Sequence, residues 1–581
     1  MRKIEIYIIT ILVLVLSGCS QSFLNTQDLT QKTDATFYLT PDDAAQALTG
    51  IYSSLPNAMS PNLGIDIFIA SEQMSDECYG GGGQIDHEGA IDQFQETDIN
   101  EGDNAWKYYY QGIFRANTLI KKFSQITGWS SDDVKNQTLG EAYFLRAYYY
   151  FDLMKMFGGP VNGKMTGVPL ITDPSAPTSK RADVDSVYAQ IASDLKEAIT
   201  IMPASNFTSL VGSGSGTNGH ATKWAAEALM ARVFLFYNGE AYGRDCSQLG
   251  SNATMPLVGG GKVTNTEVVG WIDDCVTNSG YKLASDFRNL WPYSYSNEDY
   301  GYAKNNHLKW VTEDVGANTE AIFDINYSNL NTNNYYNMND LYLGWRMQTQ
   351  MPFGYGWGFC TVSAYATWNS WDNADLRKAG SICDVNNPDE GISGYTWHGD
   401  LMNETGYWQK KYLPVNVKSP VDGHLLNYSC ILYGTPENIM TDNTQSMMLI
   451  RFADVLLMGA ELGSSHAQQY LDMVRSRAGL PSIPVTLANI QQERKHELAF
   501  EGIRYWDEIR WGTLEADLKT ASGEPMWNAG VSSTYTPNLT RLSKTKGFLP
   551  IPTSQITLSN GKLQQNDGWN DADADRMYTT N

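Results

Sequence analysis

The chain has 581 residues, and its 64 Asp and Glu against 41 Lys and Arg give a formal charge of −23. A surface that acidic repels phosphate backbones, which argues against nucleic acid as a partner. The length exceeds one ordinary domain but fits a single large helical body with long insertions.

Arg2 and Lys3 precede an apolar run over residues 6–16, broken only by Thr10, and Leu16-Ser17-Gly18-Cys19 follows directly. This is a signal peptide, too short to span a bilayer as an anchor. Its ending resembles a bacterial lipobox, which implies cleavage before Cys19 and a diacylglyceryl group on that thiol. Acyl chains contribute about 0.8 kcal/mol per buried methylene, enough for a multiply acylated Cys19 to hold the protein on a membrane. Beyond it stand Cys78, Cys246, Cys275, Cys360, Cys383 and Cys430, with no C-x-x-C pair and hence no zinc-ligand or redox spacing. An exported chain can oxidise these thiols, but the sequence does not choose a pairing.

A polar tether over residues 19–34 leads into the first predicted helix. There Thr40 is the N-cap, Pro41 takes the first helical position, and Asp42 and Asp43 lie near the positive end of the dipole. Ala44, Ala47, Leu48, Ile51 and Leu55 recur at helical spacing. Further helices are predicted over residues 105–123 and over 140–157, the latter stopped by Gly158-Gly159-Pro160. Val187, Ile191, Leu195 and Ile199 form another stripe, and residues 221–237 are apolar enough to be buried all round. The helical pattern then lapses over residues 238–441, which are dense in Gly, Asn, Tyr and Trp with strand-like pieces such as 321–325. Helices resume at 446–462, 465–478 and 487–510.

These readings divide the chain into a signal peptide (1–18), a lipidated tether (19–34), the N-terminal part of a helical scaffold (35–237), a loop-rich ligand-binding subdomain (238–441) and the C-terminal part of the scaffold with a polar tail (442–581). The fold class is mainly α. A strict 34-residue helix-pair signature is absent, so any repeat is degenerate.

Several blocks together resemble the SusD/RagB outer-membrane lipoproteins. They are Arg115-Ala116-Asn117, Glu141-Ala142-Tyr143-Phe144-Leu145-Arg146-Ala147-Tyr148-Tyr149, Arg451-Phe452-Ala453-Asp454, Val474-Arg475-Ser476-Arg477-Ala478-Gly479-Leu480-Pro481, Glu493-Arg494-Lys495-His496-Glu497-Leu498-Ala499-Phe500-Glu501-Gly502, and Leu549-Pro550-Ile551-Pro552 with Gln564-Gln565-Asn566-Asp567-Gly568. They span roughly residues 20–570 in the family's order. The resemblance implies a superhelix of four degenerate TPR-like helix pairs carrying an irregular ligand-binding insert. It further implies a non-catalytic lipoprotein that passes oligosaccharides to a SusC-like TonB-dependent transporter at the outer membrane, on the cell exterior. Some relatives bind peptides, so the ligand class stays open.

Binding chemistry is expected in the insert, because loops on a rigid scaffold carry function. Between Trp291 and Trp371, 19 of 81 positions are Phe, Tyr or Trp, about twice the chain's 12%, with asparagines interleaved. The C–H face of a pyranose lies well on a flat aromatic ring, while its hydroxyls need donors and acceptors at the edge. Candidate ligand contacts are Tyr335, Tyr336, Trp345, Arg346, Tyr355 and Trp357, the last two because flanking glycines suggest a loop tip with projecting rings. Tyr79 and Gln84 join them, since the family's N-terminal loop often borders the ligand groove. Most of these aromatics could equally fill a core, and Gly80-Gly81-Gly82-Gly83 could be a plain connector.

Arg475, Arg477, Glu493, Arg494, Glu497, Glu501 and Arg504 are read as a structural ion-pair network, the glutamates falling four apart on one helix face. Gly259-Gly260-Gly261-Lys262 ends in Val263 and lacks the hydroxyl of a phosphate loop, and His496-Glu497 lacks the second His of a zinc protease. Asp571, Asp573 and Asp575 start like a calcium loop, but Arg576 takes the glycine position. A structural calcium held elsewhere is left open, and no other cofactor or catalytic residue is implied. Two alternatives stand beside the glycan-binding reading: the same fold binding peptides, and a lipid-anchored glycoside hydrolase.

Overall fold

The computed structural model describes residues 36–60, 64–86, 91–94, 102–176, 180–205, 219–244, 250–296, 299–311, 318–327, 336–392 and 394–569. Cys19, the tether, Cys246, Tyr335 and the aspartates at 571, 573 and 575 lie outside them.

Helix α1 (Pro41–Tyr52) starts as its sequence predicts: Thr40 accepts from the Asp43 amide while the Asp43 carboxylate accepts from that of Thr40, a reciprocal capping box. Helix α2 (Ile67–Met74) is buried throughout and capped by Asp66, which accepts from the Phe68 and Ile69 amides at 2.8 Å each. The frame proper comprises α3 (Asp103–Lys122), α4 (Asp132–Phe157), α5 (Val184–Ile201), α6 (Lys223–Tyr237), α7 (Asn265–Asn278), α8 (Phe452–Glu461), α9 (Ala467–Arg477) and α10 (Leu487–Glu497). Within this series each helix packs on its neighbour in sequence. The result is a succession of four degenerate TPR-like pairs, in which no pair could bury its apolar face alone. Helix α11 (Arg504–Trp511) returns against α2 and α6. Among the described residues no helix is long and apolar enough to cross a membrane.

Three stretches differ from the sequence expectation. Helix α7 lies inside the stretch read as loop-rich. It packs between α6 and α8, so the insert leaves the frame between the two helices of the third pair. Its buried stripe of Val268, Ile272 and Cys275 is helical in spacing but diluted by Asn, Thr and Asp. Residues 446–462 are not one helix: Met447–Arg451 is a fully buried strand, and an apolar run of that length does not distinguish a strand from a buried helix. Residues 487–510 are broken by a reversal in which Phe500 and Gly502 take φ of 61° and 71°, placing Glu501 off the helix that carries Glu493 and Glu497.

The strands that matter for the site are β1 (Cys78–Gly81), β2 (Ala321–Ile325), β3 (Trp345–Arg346), β4 (Tyr355–Gly356), β5 (Phe359–Val362), β6 (Tyr407–Gln409), β7 (Met447–Arg451), β8 (Pro525–Asn528) and β9 (Val531–Thr534). Strand β1 pairs antiparallel with β5, β2 with β7, and β8 with β9, whereas β3 and β4 run parallel. Sheets among the described residues are all two-stranded. The insert is therefore held by side chains more than by a shared ladder.

Much of that hold is ionic. Arg377 and Lys411 of the insert meet Glu493, Glu497 and Glu501 of the frame at 2.6–2.9 Å, and Arg451 bridges Glu320, Glu497 and Glu501 at 2.5–2.7 Å. Arg475 and Arg477 complete the cluster. Every member is at least largely buried and paired, as the structural reading of these charges expects. Arg377, Arg451, Lys411 and Glu320 extend that network beyond the residues named from sequence. The five described cysteines are free thiols.

Candidate functional site

Four distant segments converge on one face of the insert. The antiparallel register Cys78↔Val362, Tyr79↔Thr361 and Gly81↔Phe359 carries the N-terminal loop onto β5, and the Gly82 amide donates to the Gly358 carbonyl at 2.9 Å. On the other side of that loop the Met402 amide donates to Gly82 at 2.9 Å. Glu404 and Trp527 exchange backbone hydrogen bonds of 2.8 and 3.0 Å, joining the β8–β9 hairpin to the same assembly.

The glycines make these approaches feasible. A Cβ on Gly83 would lie 2.0 Å from Arg346 Nη2, and one on Gly356 would lie 2.2 Å from the Gly344 Cα. Both runs, 80–83 and 354–358, are therefore tightly packed backbone. The expected loop tip at Tyr355 and Trp357 is instead a strand and its continuation. Along Gly354-Tyr355-Gly356-Trp357-Gly358-Phe359 the rings alternate with glycines that face neighbouring chain.

The predicted site residues separate accordingly. Tyr79 is only 2% exposed; its hydroxyl donates to Glu524 and its ring leans on Tyr535. Trp345 is fully buried against Phe353, Tyr395 and Trp408. Neither ring presents a face to solvent, which corrects the expectation for both. Tyr336, Tyr355 and Trp357 are half-buried and Gln84 is exposed, with Trp357 edge-on to Tyr342 at 6.2 Å. Tyr335 lies outside the described residues.

Arg346 is the hinge of the assembly. Its Nη2 donates to Asp400 Oδ2 at 2.6 Å and its Nε to both Asp400 oxygens at 3.2–3.3 Å, while Nη1 donates to the Trp357 carbonyl at 3.2 Å and stands 3.5 Å from Asp86. The guanidinium holds the Asp400 carboxyl below the ordinary carboxylate range. Gln348 and Thr396 exchange a second pair of bonds, at 2.7 and 3.0 Å, between the same loops.

The exposed rings that complete this face were missed from sequence. Trp527 is 39% exposed and its ring lies 4.4 Å from that of His398. Trp397, half-buried, sits edge-on to Tyr395 at 5.4 Å. The glycine-bounded run Gly394 to Gly399 carries Tyr395 and Trp397 at alternate positions, the same spacing as Tyr355 and Trp357. Trp527, in contrast, is brought in from beyond the insert, by backbone pairing with Glu404 and by the Asn403 amide donating to Asn528 at 2.9 Å. The stacked pair Trp368 and Tyr407 is a poorer platform, because Lys378 lies 4.2 Å over the Trp368 ring that Tyr407 already stacks against.

Asp76, Glu508 and Asp517 also bring carboxylates together. Arg504 stands among them at 2.8, 2.9 and 3.4 Å, and Lys495 is 2.7 Å from Asp76. Guanidinium and ammonium occupy the place a metal cation would take.

Partly exposed indoles and an imidazole, rimmed by Gln84, Asp86, Arg346 and Asp400, form a surface on which a flat C–H face can stack while hydroxyls meet amide and carboxylate groups. Two family models cover most of the chain: "SusD family" matches residues 319–569, and "Starch-binding associating with outer membrane" matches residues 45–235. The chain belongs to the SusD family. SusD-like protein P2 of Formosa agariphila is 24% identical over 599 residues, covering 98% of this chain and 100% of that one. A SusD-like protein of Bacteroides ovatus is 24% identical over 537 residues, covering 88% and 82%. Among solved structures, a "Laminarin binding SusD-like protein" superposes with a TM-score of 0.66 at 24% identity, over 91% of this chain and 100% of that one. Surface glycan-binding protein A from Bacteroides thetaiotaomicron in complex with laminarihexaose does so with a TM-score of 0.63 at 21% identity, over 91% and 99%. At these identities the SusD-like structures establish the shared fold.

Proposed function

We propose that this SusD-family protein is a non-catalytic cell-surface lipoprotein, anchored through Cys19, that binds oligosaccharides and passes them to a SusC-like TonB-dependent transporter in the outer membrane. The observation that carries the ligand class is the partly exposed Trp527–His398–Trp397 group beside the Arg346–Asp400 pair. Stacking there needs little ordering, since the backbone of all four segments is already cross-bonded. The lipobox supports the anchor, and solved SusD-like relatives that bind laminarin or laminarihexaose support a glycan ligand.

Isothermal titration against neutral and acidic oligosaccharides and against a protein digest tests the reading. Saccharide binding without product release is expected, and Trp527→Ala is expected to weaken it about fivefold or more, the order of one lost ring contact. Heat with the digest alone would replace the glycan by a peptide, and release of shortened sugar would overturn the non-catalytic assignment. Loss of a co-purifying barrel from native membranes of a Cys19→Ser strain tests the anchor and partner together.

A further inference from the structure

The rim chemistry narrows the ligand further. The four converging segments, residues 78–86, 344–359, 394–404 and 525–534, contain one arginine, Arg346, against three carboxylates, Asp86, Asp400 and Glu404. Glu404 is buried, accepting from the Tyr395 hydroxyl and the His398 amide at 3.0 Å each. Arg346 would be the natural receptor for a sugar acid, because its planar fork matches a carboxylate or sulfate. Most of that fork is already taken: Asp400 takes Nε and Nη2, the Trp357 carbonyl takes a proton of Nη1 with Asp86 3.5 Å from the same atom, and Gly83 closes on Nη2. The arginine side chain is 16% exposed, whereas the two carboxylates flanking it are 28% (Asp86) and 48% (Asp400) exposed. The solvent-facing charge of the rim is negative.

We infer that this site, if it is the glycan site proposed above, selects uncharged oligosaccharides, with Asp400 and Asp86 accepting sugar hydroxyls and repelling uronate or sulfate groups. Arg346 is then a positioning residue that ties three loops together, and the free carboxylate lone pairs are the specificity-determining atoms. A like charge brought to about 5 Å of Asp400 lowers affinity about fourfold at water-like dielectric and far more where the site excludes water.

The test uses the full-length protein with neutral hexasaccharides (laminari-, cello-, manno- and malto-series) and acidic ones (oligogalacturonate, alginate, sulfated galactan). At low salt at least one neutral series is expected to bind about tenfold or more tightly than every acidic one. Raising salt should leave neutral affinity unchanged and bring weak acidic binding up, since screening relieves repulsion. Asp400→Asn should lose neutral affinity while gaining on the acidic series. Tightest binding of an acidic series, or acidic affinity that falls with salt, overturns the selectivity while leaving glycan capture intact. Neutral binding unaffected by Trp527→Ala overturns the assignment to this face, and no saccharide binding at all overturns the proposed function itself.

Discussion

Replacing Arg451 by Met tests whether the buried charges hold insert and frame together. Around it Arg377, Arg451, Arg475, Arg477 and Lys411 face Asp375, Glu320, Glu493, Glu497 and Glu501, five cations against five carboxylates. Arg451 is 2% exposed and bonds three of those carboxylates at 2.5–2.7 Å. Methionine fills most of the volume but leaves one carboxylate without a counter-charge, and breaking a buried pair in this way costs about 3–5 kcal/mol. The unpaired carboxylate acquires a folded-state pKa above its unfolded value of about 4.3, so its penalty is absent below that pH and grows as pH rises toward the folded value, at about 1.4 kcal/mol per unit. Urea titration followed by tryptophan fluorescence should therefore show a midpoint lowered by about 1 M near pH 8 and by clearly less near pH 5. Adding Glu501→Gln restores the balance and should recover part of the loss. An equal shift at both pH values, or a double variant no better than the single one, would refute the charge-balance explanation.

Two further perturbations test the packing and the buried charge elsewhere in the molecule. Gly356→Ala puts a Cβ 2.2 Å from the Gly344 Cα, a clash of backbone on backbone; melting should fall by the equivalent of about 1–3 kcal/mol, and titration should show saccharide affinity reduced with it. Asp66, 1% exposed, has its carboxyl pushed up to about 7 by burial. A raised folded pKa means stability present below the unfolded value and lost as pH rises from about 4 through about 7, here by about 4 kcal/mol at most. Asp66→Asn keeps the helix-cap acceptor, so denaturation midpoints measured across that window should vary less with pH than the wild type's, and an unchanged pH profile would show that Asp66 does not titrate there.

The frame was readable because its determinants are local. The cap at Thr40 and the stops at Gly158-Gly159-Pro160 lie within a few residues of what they control. Even α7 announced itself by Val268, Ile272 and Cys275 once composition was set aside. The site was readable only in part, because its determinants are pairings across long separations, such as Gly81 with Phe359 and Glu404 with Trp527. Strand parity could have separated Trp345 from Arg346: successive strand residues face opposite sides, so a fully buried Trp345 leaves Arg346 toward the rim. The glycines flanking Tyr355 and Trp357 were a real signal given the wrong cause. They mark close backbone approach, which buries one side of the strand and leaves those rings half-exposed on the other.

That difference bears on how the family's frame can serve different ligands. Trp345 next to Arg346 packs on Trp408, and Lys410 and Lys411 just beyond it are buried against Glu390 and Glu501. The support beneath the rim therefore runs into the same ionic lock that joins insert to frame. The groups that meet solvent outside the Arg346 ion pairs, Gln84, His398 and Trp527, sit at the outer ends of that support, where a surface substitution changes stability by only about 0.5 kcal/mol. Side chains in such positions can be exchanged without disturbing the glycines and ion pairs that place them, which is the physical condition for one scaffold to present many different binding faces.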